Sequence, residues 1–120
     1  QGAWLNPTVI ADLKPNSRAS VEEIFGPVVV VHTFDTEEEA VQIANGVEYG
    51  LAGSVWTSDM TRGHRVAAAM ETGMVWVNTW LHRDLRVPFG GVKNSGVGRE
   101  GGVNSLSFFS DSQNICIHLG

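Results

Sequence analysis

One stretch, residues 75–100, constrains this chain more than any other. With Met74 it opens as an apolar run, Val75, Trp76 and Val77, whose β-branched and aromatic side chains suit a buried strand. The run then breaks into a short loop crowded with large and charged residues: Trp80, His82, Arg83, Asp84 and Arg86. Pro88 and the pair Gly90 and Gly91 redirect the backbone, and Ser95, Gly96 and Gly98 lead towards a helix expected to start near Arg99 and Glu100. A strand that ends in such a loop is how many α/β proteins present a binding site. A glycine-rich surface connection is the plainer reading. The density of Trp, His, Arg and Asp in so few residues argues against it.

The flanking chain supplies a scaffold for that loop. Residues 7–10 have the character of a short strand, Pro15 interrupts it, and Ser20 with Glu23 suits the capping of a helical turn. Residues 28–34 are almost continuously β-branched, which predicts a strand buried on both faces. Thr36 and Glu39 form a capping-box pattern, and the helix that follows turns Glu37, Ala40, Val41 and Ala44 to one side before Asn45 and Gly46 close it. After Tyr49, Gly50 and Leu51, residues 52–57 read as another strand. Ser58 is placed to cap a helix over residues 59–71, with Gly63, Val66, Ala67 and Met70 inward and Arg62, His64 and Arg65 in solvent. Gly73 hands the chain to the strand at Met74. His32 reads as a strand-end polar residue with no role. The alternation of strands and helices predicts an α/β fold, a parallel-type sheet with covering helices. Gly101 and Gly102 lie near the start of a short helix to about residue 108. The tail, residues 110–118, reads as an extended strand with Ile115 and Ile117 on one face and Cys116 on the other. Such an edge needs a partner, either another subunit or the chain's own sheet.

Composition narrows the function. At 120 residues the chain is about one domain, and its 42% hydrophobic content is enough for a core. A net charge of −5 disfavours nucleic acid, whose phosphates need clustered Lys and Arg. No apolar run approaches a membrane span, no secretory pattern opens the chain, and a single cysteine excludes an internal disulfide; a cytoplasmic setting is expected. The first residue is not Met and lies just before a strand, so a piece of a longer protein is expected, with exposed apolar faces that favour self-association.

Three blocks carry a family resemblance: Glu22-Glu23-Ile24-Phe25-Gly26-Pro27-Val28, Tyr49-Gly50-Leu51-Ala52-Gly53-Ser54-Val55-Trp56-Thr57, and Trp76-Val77-Asn78-Thr79-Trp80 followed by Pro88-Phe89-Gly90-Gly91 through to Gly98-Arg99-Glu100. In this order they resemble the C-terminal part of the aldehyde dehydrogenase superfamily, over essentially the whole chain. The loop from Asn78 to Arg86 looks most like the 2-hydroxymuconic and 2-aminomuconic semialdehyde dehydrogenases. The resemblance implies that residues 1–108 belong to the catalytic domain and that residues 109–120 form an oligomerisation-type strand, hence a homo-oligomer. It implies NAD or NADP as cofactor, with NAD favoured. Glu23 is then the acceptor for the nicotinamide ribose hydroxyls and Phe25 the residue beside the nicotinamide ring, roles that suit a carboxylate and an aromatic face.

The same resemblance implies a cysteine nucleophile, a glutamate base and an oxyanion-binding Asn, all upstream of this chain, so no catalytic residue is assigned here. Cys116 is expected to be a packing residue, and Asn78 an anchor at a strand end. Gly96 and Gly98 do not amount to a dinucleotide fingerprint, and no metal site is assigned. The chain is therefore expected to be inactive by itself. What it keeps is the loop that lines the aldehyde tunnel. Arg83 stands where relatives with apolar substrates carry an aromatic residue, and a guanidinium there suits a substrate with a distal carboxylate. The alternatives are that Arg86 takes that role, or that Arg83 pairs with Asp84 structurally; for Arg86 the structural role is preferred. Phe89 and Trp80 are placed as the apolar wall, with Trp80 equally suited to the core. Two other readings compete: a noncatalytic α/β assembly module, and an enzyme acting on a betaine- or succinic-semialdehyde-type substrate.

Overall fold

A computed structural model describes residues 2–120. Its best-packed part is a strand–helix–strand unit: β4 (Ala52–Val55), α3 (Met60–Ala69) and β5 (Met74–Val77). β4 and β5 pair in parallel, from Ala52 opposite Met74 to Val55 opposite Val77. Antiparallel strands need only a hairpin, whereas a parallel pair needs a crossover, and α3 is that crossover. It lies close on β5 because Gly63 is the buried residue of the helix; a Cβ there would sit 3.1 Å from Val77 Cγ1.

Asp59 starts α3, not Ser58. Its carboxylate accepts from Thr61 N at 2.9 Å and Arg62 N at 3.2 Å, a stronger cap at the positive helix end than a hydroxyl one residue earlier. The helix also stops at Ala69, short of the expected Glu71, because Met70 is already extended. Arg62 and Arg65 are not simply solvated. α2 (Glu37–Asn45) lies beside α3, and Arg65 makes a two-pronged pair with Glu37 (2.6 and 2.7 Å), with Arg62 Nε at 3.4 Å from the same carboxylate. Hydrogen bonding to Arg65 holds the Glu37 carboxyl below its usual range. The Thr36 half of the capping box of α2 is present, with Glu39 N donating to Thr36 Oγ1 at 3.1 Å, while Glu39 Oε2 reaches one residue further back and accepts from Asp35 N at 2.9 Å.

A second parallel pair joins β1 (Thr8–Ile10) and β2 (Val28–Val30). Here the expectation of a seven-residue strand buried on both faces fails. The ladder ends at Val30, and Val29 and Val31 are about half exposed, because no layer of this chain covers that face. Between these strands α1 (Arg18–Val21) begins after Ser17, and Ser20 lies inside it. Its hydroxyl therefore cannot cap and instead meets Lys14 O at 3.2 Å, Ser17 Oγ at 2.8 Å and His32 Nε2 at 3.1 Å. A third pair, antiparallel, joins β3 (Tyr49–Gly50) to β6 (Val92–Lys93).

α4 (Gly102–Phe109) starts where Gly101 and Gly102 place it, not at Arg99 and Glu100, which are engaged elsewhere. Residues 110–120 form no strand. Ile115 and Ile117 are more than 70% exposed, and Cys116, expected to pack, is exposed too; no ladder partner lies beside them among the described residues. The same lack of covering layers shows in the whole chain. Its radius of gyration is 19.7 Å, against about 14 Å for a compact domain of this length. Trp76 is the one buried hydrophobic side chain among the described residues. The apolar content is sufficient for a core, but most of it faces outward. The α/β class, with parallel pairs and covering helices, is as expected; the burial is not.

Candidate functional site

The loop after β5 is built from three fixings. At its start, Asn78 has a left-handed backbone (φ 54°) and exchanges two hydrogen bonds with Thr57: Thr57 N donates to Oδ1 and Nδ2 donates to Thr57 O, both at 2.8 Å. This anchor ties the exits of β5 and β4 together, as expected of Asn78. In the middle, the buried Trp76 indole N–H donates to His82 O at 2.8 Å, while the Trp80 ring meets Trp76 edge-on at 5.1 Å. Trp80 itself is 57% exposed and so is no core residue. Further on, Asp84 Oδ1 accepts from the backbone N–H and Nε of Arg86, both at 2.9 Å. Those contacts, the side-chain one first, hold the Asp84 carboxyl below its ordinary value.

Arg86 is thus committed to Asp84, and its side chain is otherwise in solvent. Arg83 does not pair with Asp84. Its guanidinium carbon stands 4.2 Å over the centre of the Phe89 ring, a cation–π contact. Across from it, Glu100 Oε1 lies 3.9 Å from Arg83 Nη2, too far for a hydrogen bond. Phe89 and Glu100 are themselves bridged, each backbone N–H donating to the other's carbonyl at 2.8 Å. Arg99 braces the same turn by donating to Gly91 O (2.9 Å) and Gly98 O (2.7 Å). Arg83, Asp84, Leu85, Val87, Phe89 and Glu100 line a hollow of about 210 Å³. Of the four residues expected at the substrate, the hollow brings Arg83 and Phe89 together. Trp80 and Arg86 lie outside it.

Glu23 and Phe25 lie together elsewhere, in a groove of about 370 Å³ between α1 and β2. Phe25 is 92% exposed with φ 51°. A bulky aromatic in the left-handed region is a strained, uncommon arrangement, and such residues gather at functional sites. An exposed carboxylate next to an exposed ring fits the ribose and the flat base of a nicotinamide nucleotide. The described residues hold no group of three or more His, Cys, Asp or Glu placed for a metal ion, and no helix is long and apolar enough to cross a membrane.

Sequence reasoning missed two participants. Glu100 was read as a helix start, yet its bridge to Phe89 sets it opposite Arg83; nothing in the linear pattern announces that pairing. The sequence places Trp76 in a strand and in a family motif, with no partner for its indole. Its one signal was general: a buried indole N–H needs an acceptor.

The profile of the aldehyde dehydrogenase family matches residues 1–115. The chain is 52% identical over 118 residues to a 2-hydroxymuconic semialdehyde dehydrogenase of Pseudomonas putida, covering 98% of this chain and 24% of that protein. It is 53% identical over 116 residues to a 2-aminomuconic semialdehyde dehydrogenase of Mus musculus, again with 24% of the relative covered. The chain therefore spans about a quarter of the length of these relatives. Among solved structures it superposes with a TM-score of 0.85 on a betaine aldehyde dehydrogenase of Staphylococcus aureus in complex with NAD+, at 44% identity over 90% of this chain and 21% of that one. An aldehyde dehydrogenase of Mycobacterium tuberculosis complexed with NAD+ gives 0.86 at 44% identity, over 95% of this chain and 23% of that one. Three short parallel and antiparallel ladders, the glycine-braced turn after β5 and these similarities agree: the chain belongs to the aldehyde dehydrogenase family.

Proposed function

We propose that this chain serves as the C-terminal part of an NAD(P)+-dependent aldehyde dehydrogenase that oxidises a carboxylate-bearing semialdehyde, of the 2-hydroxymuconic or 2-aminomuconic type, to the acid. The observation that carries this reading is Arg83, stacked on Phe89 with no hydrogen-bonded carboxylate of its own. With the aromatic ring covering one face, the guanidinium's edge N–H donors remain available to a planar carboxylate, a charge-assisted and bidentate match. Relatives about half identical carry semialdehyde names of this type, whereas the betaine aldehyde enzyme is less similar. Phe89 acts as an apolar wall of the hollow, Trp80 adds apolar surface outside it, and Arg86, neutralised by Asp84, shapes the loop.

Glu23 receives the nicotinamide ribose hydroxyls and Phe25 lies beside the ring; the bound dinucleotide supplies the hydride acceptor. NAD+ is favoured over NADP+ because similar structures were determined with NAD+. Residues 1–108 work as catalytic-domain scaffold and residues 109–120 as an assembly strand, since Ile115, Ile117 and Leu119 are exposed and need cover. Assembly is therefore homo-oligomeric, and the exposed thiol of Cys116 suits a reducing cytoplasm.

The test is a substrate panel on the full-length enzyme with NAD+ and NADP+. The highest kcat/KM is expected for the muconic semialdehydes, and no turnover from the 120-residue chain alone. Equal or better turnover of betaine aldehyde would overturn the substrate assignment, and activity of the isolated chain would overturn its role as a partner to a separate catalytic centre.

A further inference from the structure

Arg83 is useful as a selector only if its guanidinium is aimed, and its own side chain makes no hydrogen-bonded anchor that aims it. The backbone on either side does. After Arg83, the Asp84 carboxylate takes the N–H of Arg86. Before it, the carbonyl of His82 receives the indole N–H of Trp76 at 2.8 Å. Trp76 is 6% exposed and sits in β5, whose register against β4 is fixed over four residue pairs. The indole N–H is a donor only, and a buried donor left without an acceptor is costly, so the bond to His82 is strongly held. The same ring also receives Trp80 edge-on at 5.1 Å. Leu81, between these two clamped residues, has a left-handed backbone at φ 55°, a conformation an exposed leucine does not choose freely.

We propose that Trp76 is the positioning residue for Arg83: its buried indole N–H fixes the His82 carbonyl and thereby the height of the guanidinium over Phe89, which sets the preference for a carboxylate-bearing aldehyde. This rests on the reading of Arg83 as the carboxylate anchor. Trp76 touches no substrate; it acts through the loop. Loss of the bond lets residues 80–83 relax, so the guanidinium spreads over many orientations and a bidentate pair forms less often. An aldehyde without a carboxylate does not use that pair and is indifferent to it.

The experiment is made on the full-length enzyme with 2-hydroxymuconic semialdehyde and an uncharged aldehyde. Trp76→Phe keeps an aromatic ring in place while removing the N–H donor together with part of the ring's bulk. Leu81→Pro, which leaves the Trp76 side chain whole, is therefore the control for lost packing. For Trp76→Phe the KM for the semialdehyde is expected to rise on the order of tenfold, with kcat and all constants for the uncharged aldehyde nearly unchanged. Leu81→Pro reaches the same end from an exposed position, since proline holds φ near about −65° and pulls the His82 carbonyl off the indole; it stands in if Trp76→Phe fails to fold. Arg83→Ala combined with either should be no worse than Arg83→Ala alone. If Arg83→Ala is selective but neither other variant is, or they slow both substrates alike, the positioning role is overturned while the anchor stands. If Arg83→Ala itself is not selective, the anchor reading fails, and the proposal with it.

Discussion

β1–β2 and β4–β5 are both parallel, two-stranded and rich in valine, yet they differ in what they bury. β4–β5 has α3 across it, touching at Gly63, and contains Trp76, the buried aromatic. β1–β2 has only the four-residue α1 between its strands and leaves Val9 at 70% and Val29 at 53% exposure. Parallel pairs that both carry valine give a packed unit in one place and an open face in the other. A strand's apolar pattern states what it can bury; a neighbouring layer decides whether it does. The functional loop grows from the packed unit, and its aim is set by a side chain inside that unit.

The largest effect that would break this contrast lies at Gly73, just before β5. A Cβ there would fall 1.7 Å from Gly90 O and 2.8 Å from Gly90 C, both backbone. Gly73→Ala should therefore separate β5 from the turn at Gly90, with a loss above about 4 kcal/mol, read as failed soluble expression of the full-length enzyme. Wild-type yield would show that the close approach is not needed. Next is a paired substitution. Trp76→Ala should cost about 3–5 kcal/mol in urea unfolding, whereas Val29→Ala in the isolated chain should stay within about 0.5 kcal/mol. Equal losses would mean that the two ladders are equally packed. Smallest is the Glu37–Arg65 pair between α2 and α3. The Glu37 carboxyl is held low by Arg65, so its contribution is complete above the ordinary carboxylate value and disappears as pH falls through the lowered one. Glu37→Gln should lower stability slightly at neutral pH, where the pair is fully formed, flatten the acid limb below about pH 4.5, and leave the strongly acidic end little changed. An unchanged acid limb would remove the pair from the account.

The fold class, the order of elements and the family were legible because they depend on local patterns: the capping box at Thr36 and Glu39, the stripe about Gly63, and the glycines after Pro88. Burial was not legible, because it depends on layers that the valines of residues 28–31 do not encode. The capping errors at Ser20 and Ser58 are one to three residues wide: α1 begins after Ser17 with no side-chain cap, and at α3 the neighbouring Asp59 supplies the oxygen that meets the helix. In the site, the types Arg83 and Phe89 were readable, as was the anchor Asn78. Their mutual stacking, the Asp84–Arg86 tie, the position of Glu100 and the Trp76–His82 bond were not, since each depends on where a turn brings side chains that share no period.

Selection of the substrate by Arg83 is read from the ratio of kcat/KM for 2-hydroxymuconic semialdehyde to that for an uncharged aldehyde, in the full-length enzyme and its Arg83→Ala variant. A fall in the ratio of about 10²-fold, two to three kcal/mol of lost charge-assisted hydrogen bonding, is the predicted result. An unchanged ratio, with both substrates slowed alike or neither affected, would contradict it.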